Sequence, residues 1–146
     1  MNIYVASSWR NKRQPEVVKF LRHTGYQVYD FRSPSGGVDG FHWSEIDPDW
    51  QQWSPTEFCI ALNTVKADEG FRKDLEAMRW ADVFVLVQPC GSSAHLELGW
   101  AIGAGKEAVI LLSDGEPELM YKLANYRATS MEELRVALML IEAAGE

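Results

Sequence analysis

The sequence is poor in the features that mark several protein classes. Its 146 residues contain only two cysteines. These are Cys59 and Cys90, far apart in the chain, which fits a reduced intracellular protein better than a disulfide scaffold. No window stays apolar for the ~18 residues a membrane span needs, and residues 1–8 form a strand-like run without a basic, apolar signal segment. A cytoplasmic location is therefore expected. Positive charge is also scarce, with 14 Lys and Arg against 21 Asp and Glu and a formal charge of −7. No basic cluster is dense enough to offset that background, which disfavours nucleic acid polymers and membranes and leaves a small molecule as the expected ligand.

Several chemical motifs are missing too. No Gly-x-Gly-x-x-Gly follows the first strand, and Gly103-Ala-Gly-Lys106 lacks the first glycine and the hydroxyl of a phosphate-binding loop, so dinucleotide and triphosphate readings fall. His23, His42 and His95 show no metal-ligand spacing, and neither a metal nor another cofactor is expected. Cys90 lies at a strand-to-helix turn, but no arginine follows to hold phosphate as a cysteine phosphatase requires. A Cys90/His95 nucleophile pair stays open.

What is present is an alternation of strands and helices. Residues 2–6 form an apolar strand that runs into the polar loop Ser7-Ser8-Trp9-Arg10. Pro15 suits a first helical turn, Val17, Val18, Phe20, Leu21 and Thr24 trace one face, and Gly25 stops the helix. Residues 26–31 read as a second strand ending in Asp30-Phe31-Arg32, with a turn-rich segment at 33–37. Phe41, Trp43, Trp50 and Trp53 crowd the stretch from 40 to 53, which reads either as a loop covering the sheet edge or as a lid laying a ring on a planar ligand. Ser54-Pro-Thr-Glu57 has the form of a capping box and starts a helix expected to carry Phe58, Ala61, Leu62 and Val65 inward. Residues 67–80 repeat the helical period with Phe71, Leu75 and Met78 at core spacing. Asp74 is one residue off that stripe, where a lone aspartate is ordinarily solvated.

Residues 83–87 are continuously apolar, as in a parallel strand covered on both faces. Pro89 and Gly91 end it, and Ser92 or Ser93 is expected to cap the next helix. Gly99, Gly103 and Gly105 suggest close packing of that helix, and Gly105-Lys106 closes it. Residues 108–112 read as a fourth strand, 117–123 as a short helix and 126–128 as an edge strand. Ser130-Met-Glu-Glu133 is a second capping box, opening a terminal helix with Leu134, Ala137, Leu138 and Ile141 on one face. The pattern predicts one α/β domain over 1–146: a doubly wound, flavodoxin-like or Rossmann-like sheet of five mainly parallel strands with helices on both faces.

Glu97 stands out because Leu96, Leu98, Gly99 and Trp100 surround it near the start of a helix, at the sheet edge where such folds bind ligands. A carboxylate there needs a partner or an altered pKa, and the helix start favours its ionised form. It reads equally as a nucleophile and as a helix-terminal glutamate paired with local amides.

Tyr4-Val-Ala-Ser-Ser8, residues 74–82 from Asp74 to Asp82, the strand at 83–87 and His95-Leu-Glu-Leu-Gly-Trp-Ala101 together resemble the nucleoside 2-deoxyribosyltransferase superfamily. That family includes base-exchanging transferases and hydrolases that cleave the N-glycosidic bond of nucleoside 5'-monophosphates. The resemblance implies that Glu97 is the nucleophile on the sugar C1', that Tyr4 holds its carboxylate and that Asp74 contacts the sugar or assists the leaving base. It further implies substrate contacts from Ser7, Ser8, Trp9, Arg10, Asp30, Phe31, Arg32, Ser92 and Ser93, and a homodimer or larger assembly. Cys90-Gly-Ser-Ser93 replaces an acidic residue that the transferases carry, while serine there and at Ser8 resembles the monophosphate hydrolases. A non-catalytic nucleotide-binding module and an enzyme releasing nicotinamide from NAD are the alternatives.

Overall fold

Five runs of largely apolar residues pair into one sheet. They are β1 (Asn2–Ala6), β2 (Gln27–Asp30), β3 (Val83–Val87), β4 (Glu107–Leu111) and β5 (Tyr126–Ala128). Every pairing is parallel and the order is β2-β1-β3-β4-β5. This is the doubly wound, flavodoxin-like order, with its switch point between β1 and β3. The computed structural model describes residues 1–34, 36–37 and 40–145. Two compact units make up the chain, Met1–Asp30 with Trp80–Glu146, and Phe31–Arg79.

In the first unit the alternation of side chains across the strands decides which helix covers which face. Ile3, Val5, Val83, Val85, Val87, Val109 and Leu111 form one buried cluster with Val17, Val18 and Leu21 of α1 (Gln14–His23) and with Leu134, Ala137, Leu138 and Ile141 of α5 (Met131–Gly145). The intervening Tyr4 and Phe84 face the other way, and Phe84 meets Trp100 of α4 (Ser92–Gly103) with ring centroids 6.3 Å apart. Helices therefore lie on both faces, as expected. Both α1 and α4 end as their glycines require. Gly25 and Gly105 take φ of 97° and 74°, and the following N–H groups of Tyr26 and Lys106 return to the carbonyls of Leu21 and Ala101.

The expected serine cap of α4 is corrected. Gly91 is the N-cap, in an extended conformation, without a side-chain cap bond. Ser92 and Ser93 are already helical, because the chain turns at 89–91 and enters the helix one residue sooner, and Glu97 accordingly lies in the second turn. The expected close packing at Gly99, Gly103 and Gly105 is also absent, since a Cβ at any of them would meet no atom within 4 Å. Ser130 does cap α5, accepting from Glu133 N–H at 3.1 Å, but the Glu133 carboxylate reaches past it to Thr129 N–H at 2.7 Å.

In the second unit Ser54 and Glu57 make the complete capping box of α2 (Pro55–Leu62), with Glu57 N–H to Ser54 Oγ at 3.2 Å and Ser54 N–H to the Glu57 carboxylate at 2.6 Å. Helix α3 (Val65–Trp80) begins two residues earlier than expected. The inward positions need correction: Ala61, Ala67, Ala77 and Met78 are buried, whereas Phe58 and Leu62 are exposed, as are Val65 (74%) and Phe71 (65%). Phe58, Ala61, Leu62 and Val65 have the spacing of one helical stripe, but α2 ends at Leu62 and Val65 already opens α3, so the stripe is broken between two helices. The aromatic stretch forms two short 3₁₀ turns, Trp43–Glu45 and Trp50–Gln52. Its rings pack on one another: Trp43 meets Phe41, Trp53 and Phe58 edge-on at 4.9, 5.7 and 5.5 Å. Gly70 is tight, since a Cβ there would come within 2.9 Å of Phe41. The turn-rich segment at 33–37 includes Ser35, which lies outside the described residues.

Candidate active site

The carboxyl ends of the strands are laced together by side chains. Ser7 Oγ donates to the Val87 carbonyl at 2.8 Å, and Asn11 Nδ2 donates to both Ser7 Oγ (3.0 Å) and Val87 O (3.1 Å). Asn11 Oδ1 accepts from Arg13 N–H at 2.8 Å, and Arg13 Nη1 reaches the Leu112 carbonyl beyond β4 at 3.2 Å. Gln14, wholly buried, donates to Asp30 Oδ1 at the end of β2 at 2.9 Å. The loop after β1 is thus fixed to β3 on one side and to β2 on the other, at the switch point. Ser8 Oγ accepts from Arg10 N–H at 3.2 Å, leaving Trp9 and Arg10 exposed on a shaped turn.

Glu97 gets its place from the period of α4. Ala94, Leu98 and Ala101 make the buried stripe toward the sheet, and Glu97 stands at its rim, half-buried, while Leu96 on the far side is 75% exposed. Tyr4 projects from β1 into this same layer between sheet and helix. It is 0% exposed, stacked between Tyr29 and Phe84 at centroid distances of 5.2 and 4.9 Å. Electrostatics locate Glu97 further: the Cys90 thiol is pushed up to about 11, first by burial and second by the negative charge of Glu97. The charge of Glu97 is thus felt at the turn between β3 and α4, next to which Ser92 and Ser93 are exposed.

That turn argues against the Cys90/His95 pair. A nucleophilic thiol needs a depressed pKa and a base with a free lone pair. Cys90 is shifted the other way, and His95 Nδ1, 3.9 Å from its sulfur, lies 2.8 Å from the Gly91 carbonyl, to which it must donate.

No protein-family model and no curated protein matches the chain. Solved structures do. A 2-deoxyribosyltransferase of the psychrotolerant bacterium Bacillus psychrosaccharolyticus, described as a biocatalyst for nucleoside synthesis, aligns over 92% of this chain and 90% of its own with a TM-score of 0.60 at 19% identity. The CMP N-glycosidase BcmB of Clostridium botulinum aligns over 96% of this chain and 98% of its own, with a TM-score of 0.51 at 19% identity. The chain shares the fold of these two enzymes.

Within this deoxyribosyltransferase-like fold, Glu97, Tyr4, Ser92, Ser93, Asp30 and the loop 7–10 all belong to the unit that carries the sheet. Phe31, Arg32 and Asp74 belong to residues 31–79, where each is half-buried and Asp74 lies on α3. Sequence reasoning missed Asn11, Gln14, Gln88 and Tyr121. A buried asparagine three residues before a helix carries a faint signal, because such side chains commonly bond the nearby backbone. Gln88 and Tyr121 carry none, since they meet only through the fold.

Proposed function

We propose that this protein cleaves or transfers the N-glycosidic bond of a nucleoside or nucleoside 5'-monophosphate, with Glu97 as nucleophile. The observation that carries the reading is the placement of one half-buried carboxylate on the sheet-facing rim of α4, at the carboxyl end of β3. The likeness in fold to a deoxyribosyltransferase and a CMP N-glycosidase supports it.

In this reading a Glu97 oxygen attacks C1', the bond from C1' to the base nitrogen breaks, and the base departs with a proton supplied by Asp74. Water then releases the sugar from Glu97, or a second base takes it. Tyr4, fixed between the rings of Tyr29 and Phe84, orients the carboxylate. The exposed Ser92 and Ser93 and the amides of the first turn of α4 suit a 5'-phosphate, as do Ser8, Arg10 and Arg32. Residues 1–146 would act as one catalytic domain in the cytoplasm, as a homodimer or larger assembly.

The test is Glu97→Gln, assayed for free base over a panel of nucleosides and their monophosphates. Base release should vanish with the fold intact, and a 2'-fluoro nucleoside analogue should leave a covalent adduct on Glu97 of the unmodified protein. Undiminished release from Glu97→Gln would end the proposal.

A further inference from the structure

Helix α4 carries Glu97, yet its start is weakly held by ordinary means. No side chain caps it, and the first backbone bond, from His95 N–H to the Gly91 carbonyl, is long at 3.5 Å. The His95 ring takes up the slack: Nδ1 lies 2.8 Å from that same carbonyl. Its other nitrogen, Nε2, lies 2.8 Å from the Tyr121 hydroxyl, and the two rings stack at 5.7 Å and 12°. Tyr121 in turn meets Gln88 Nε2 at 2.7 Å, and Gln88 Oε1 accepts from Ser113 N–H at 3.2 Å.

Every proton in this chain is fixed by its two ends. Ser113 N–H can only donate, so Gln88 presents its oxygen to Ser113 and its NH₂ to Tyr121. The Tyr121 oxygen accepts that bond and gives its own proton to His95 Nε2. Burial, with the neighbouring Cys90 second, raises the Tyr121 pKa and keeps the phenol a donor. Nε2 is then bare, Nδ1 carries the hydrogen, and the Gly91 carbonyl, which can only accept, receives it.

We infer that Gln88, Tyr121 and His95 are positioning residues that hold His95 as the Nδ1–H tautomer and thereby fasten the first turn of α4 beneath the Glu97 carboxylate. The inference rests on the reading of Glu97 as nucleophile only for its effect on turnover; the relay itself stands on geometry. It also gives the segment Leu119–Leu123 a purpose, since Tyr121 is what it brings to the end of β3.

The experiment is Tyr121→Phe, which keeps the stacked ring and removes only the hydroxyl. The chain has three histidines, so ¹⁵N NMR of the imidazoles resolves His95 directly. The unmodified protein should show His95 as Nδ1–H, and Tyr121→Phe should shift it toward Nε2–H. With a substrate that the unmodified protein cleaves, kcat should fall about tenfold, the order expected for one lost orienting hydrogen bond, with KM little changed. An Nε2–H tautomer in the unmodified protein overturns the relay, as does an unchanged tautomer in Tyr121→Phe. A shifted tautomer with unchanged kcat overturns the positioning role. If no nucleoside or nucleotide is cleaved at all, the glycosidase reading fails while the NMR result still decides the relay.

Discussion

The side chains that hold residues 1–30 and 80–146 together reach far along the chain, whereas those of residues 31–79 reach mostly to near neighbours. Ser7 and Asn11 bond Val87 across 80 and 76 positions, and Arg13 bonds Leu112 across 99. In the other unit Ser54 and Glu57 are 3 apart, His42 and Glu45 also 3, and Trp53 and Asp47 6. The first unit has a large core of strand and helix side chains on a covered sheet, although Leu96 and Leu119 outside it are exposed; the second leaves Ile60, Val65 and Phe71 exposed and relies on a small aromatic cluster around Trp43. A scaffold that fixes a reacting group needs the former, because a carboxylate held by distant strands cannot drift with its own loop. The latter suits a surface that adapts.

The two proposed catalytic carboxylates fall one in each unit, which gives the largest effect with which to break the comparison. Glu97→Gln should lower turnover at least about a thousandfold, as loss of a nucleophile does. Asp74→Asn should lower it roughly a hundredfold, the usual size of a proton-transfer contribution. A substrate whose base leaves without protonation should restore Asp74→Asn and not Glu97→Gln. Equal losses on that substrate would remove Asp74 from the departure of the base.

Stability should divide the units next. Leu138 is wholly buried in the sheet cluster, and Leu138→Ala should cost about 3 kcal/mol in urea unfolding. Phe71→Ala, at an exposed position, should stay within about 0.5 kcal/mol. A matching loss at Phe71 would mean that this face is covered in solution, for instance in an assembly.

Glycines sharpen the contrast at smaller scale. Gly70→Ala pushes a methyl into Phe41 Cβ and Cγ, atoms too close to the backbone to swing aside, and should cost about 1–3 kcal/mol. Gly99→Ala adds a methyl in open space on a helix and should gain up to about 1 kcal/mol. A gain at Gly70 would show that residues 41 and 70 separate readily.

What was legible in the sequence follows the same division. The capping box at Ser54 and the glycine stops at Gly25 and Gly105 are local devices, written in three to five adjacent residues, and the structure keeps them. The strands were legible because a covered parallel strand excludes polar residues along its whole length, as 83–87 does. The buried Asn11 and the Gln88, Tyr121 and His95 relay were not, because their partners are set by the order of strands and not by spacing. The inward faces of α2 and α3 misled for a related reason: periodicity says which residues share a face, but not whether anything covers it. Glu97 was visible as an anomaly, a carboxylate among apolar neighbours, yet its place in the second turn of α4, one or two residues further in, depended on Gly91 taking the cap from the serines.

The finest test compares the two cysteines, one in each unit. Cys59 is exposed in residues 31–79, and Cys90 is half-buried and feels the charge of Glu97. Cys90 is raised from 9.0 to about 11, so between those values it keeps a proton that the unfolded chain releases. Its contribution to stability is complete below the ordinary thiol pKa and is lost as pH rises through about 11. At pH 8 the smaller thiolate fraction alone would slow alkylation of Cys90 about a hundredfold relative to an ordinary thiol, and the greater nucleophilicity of a more basic thiolate returns roughly tenfold of that. Iodoacetamide labelling followed by mass spectrometry should therefore find Cys90 about tenfold slow, with Cys59 as internal reference. Glu97→Gln removes the second cause of the shift and leaves burial, so Cys90 should react faster while Cys59 does not change. An unaltered Cys90 rate in that variant would place the Glu97 carboxylate away from the turn after β3, and the position proposed for the nucleophile would lose its electrostatic support.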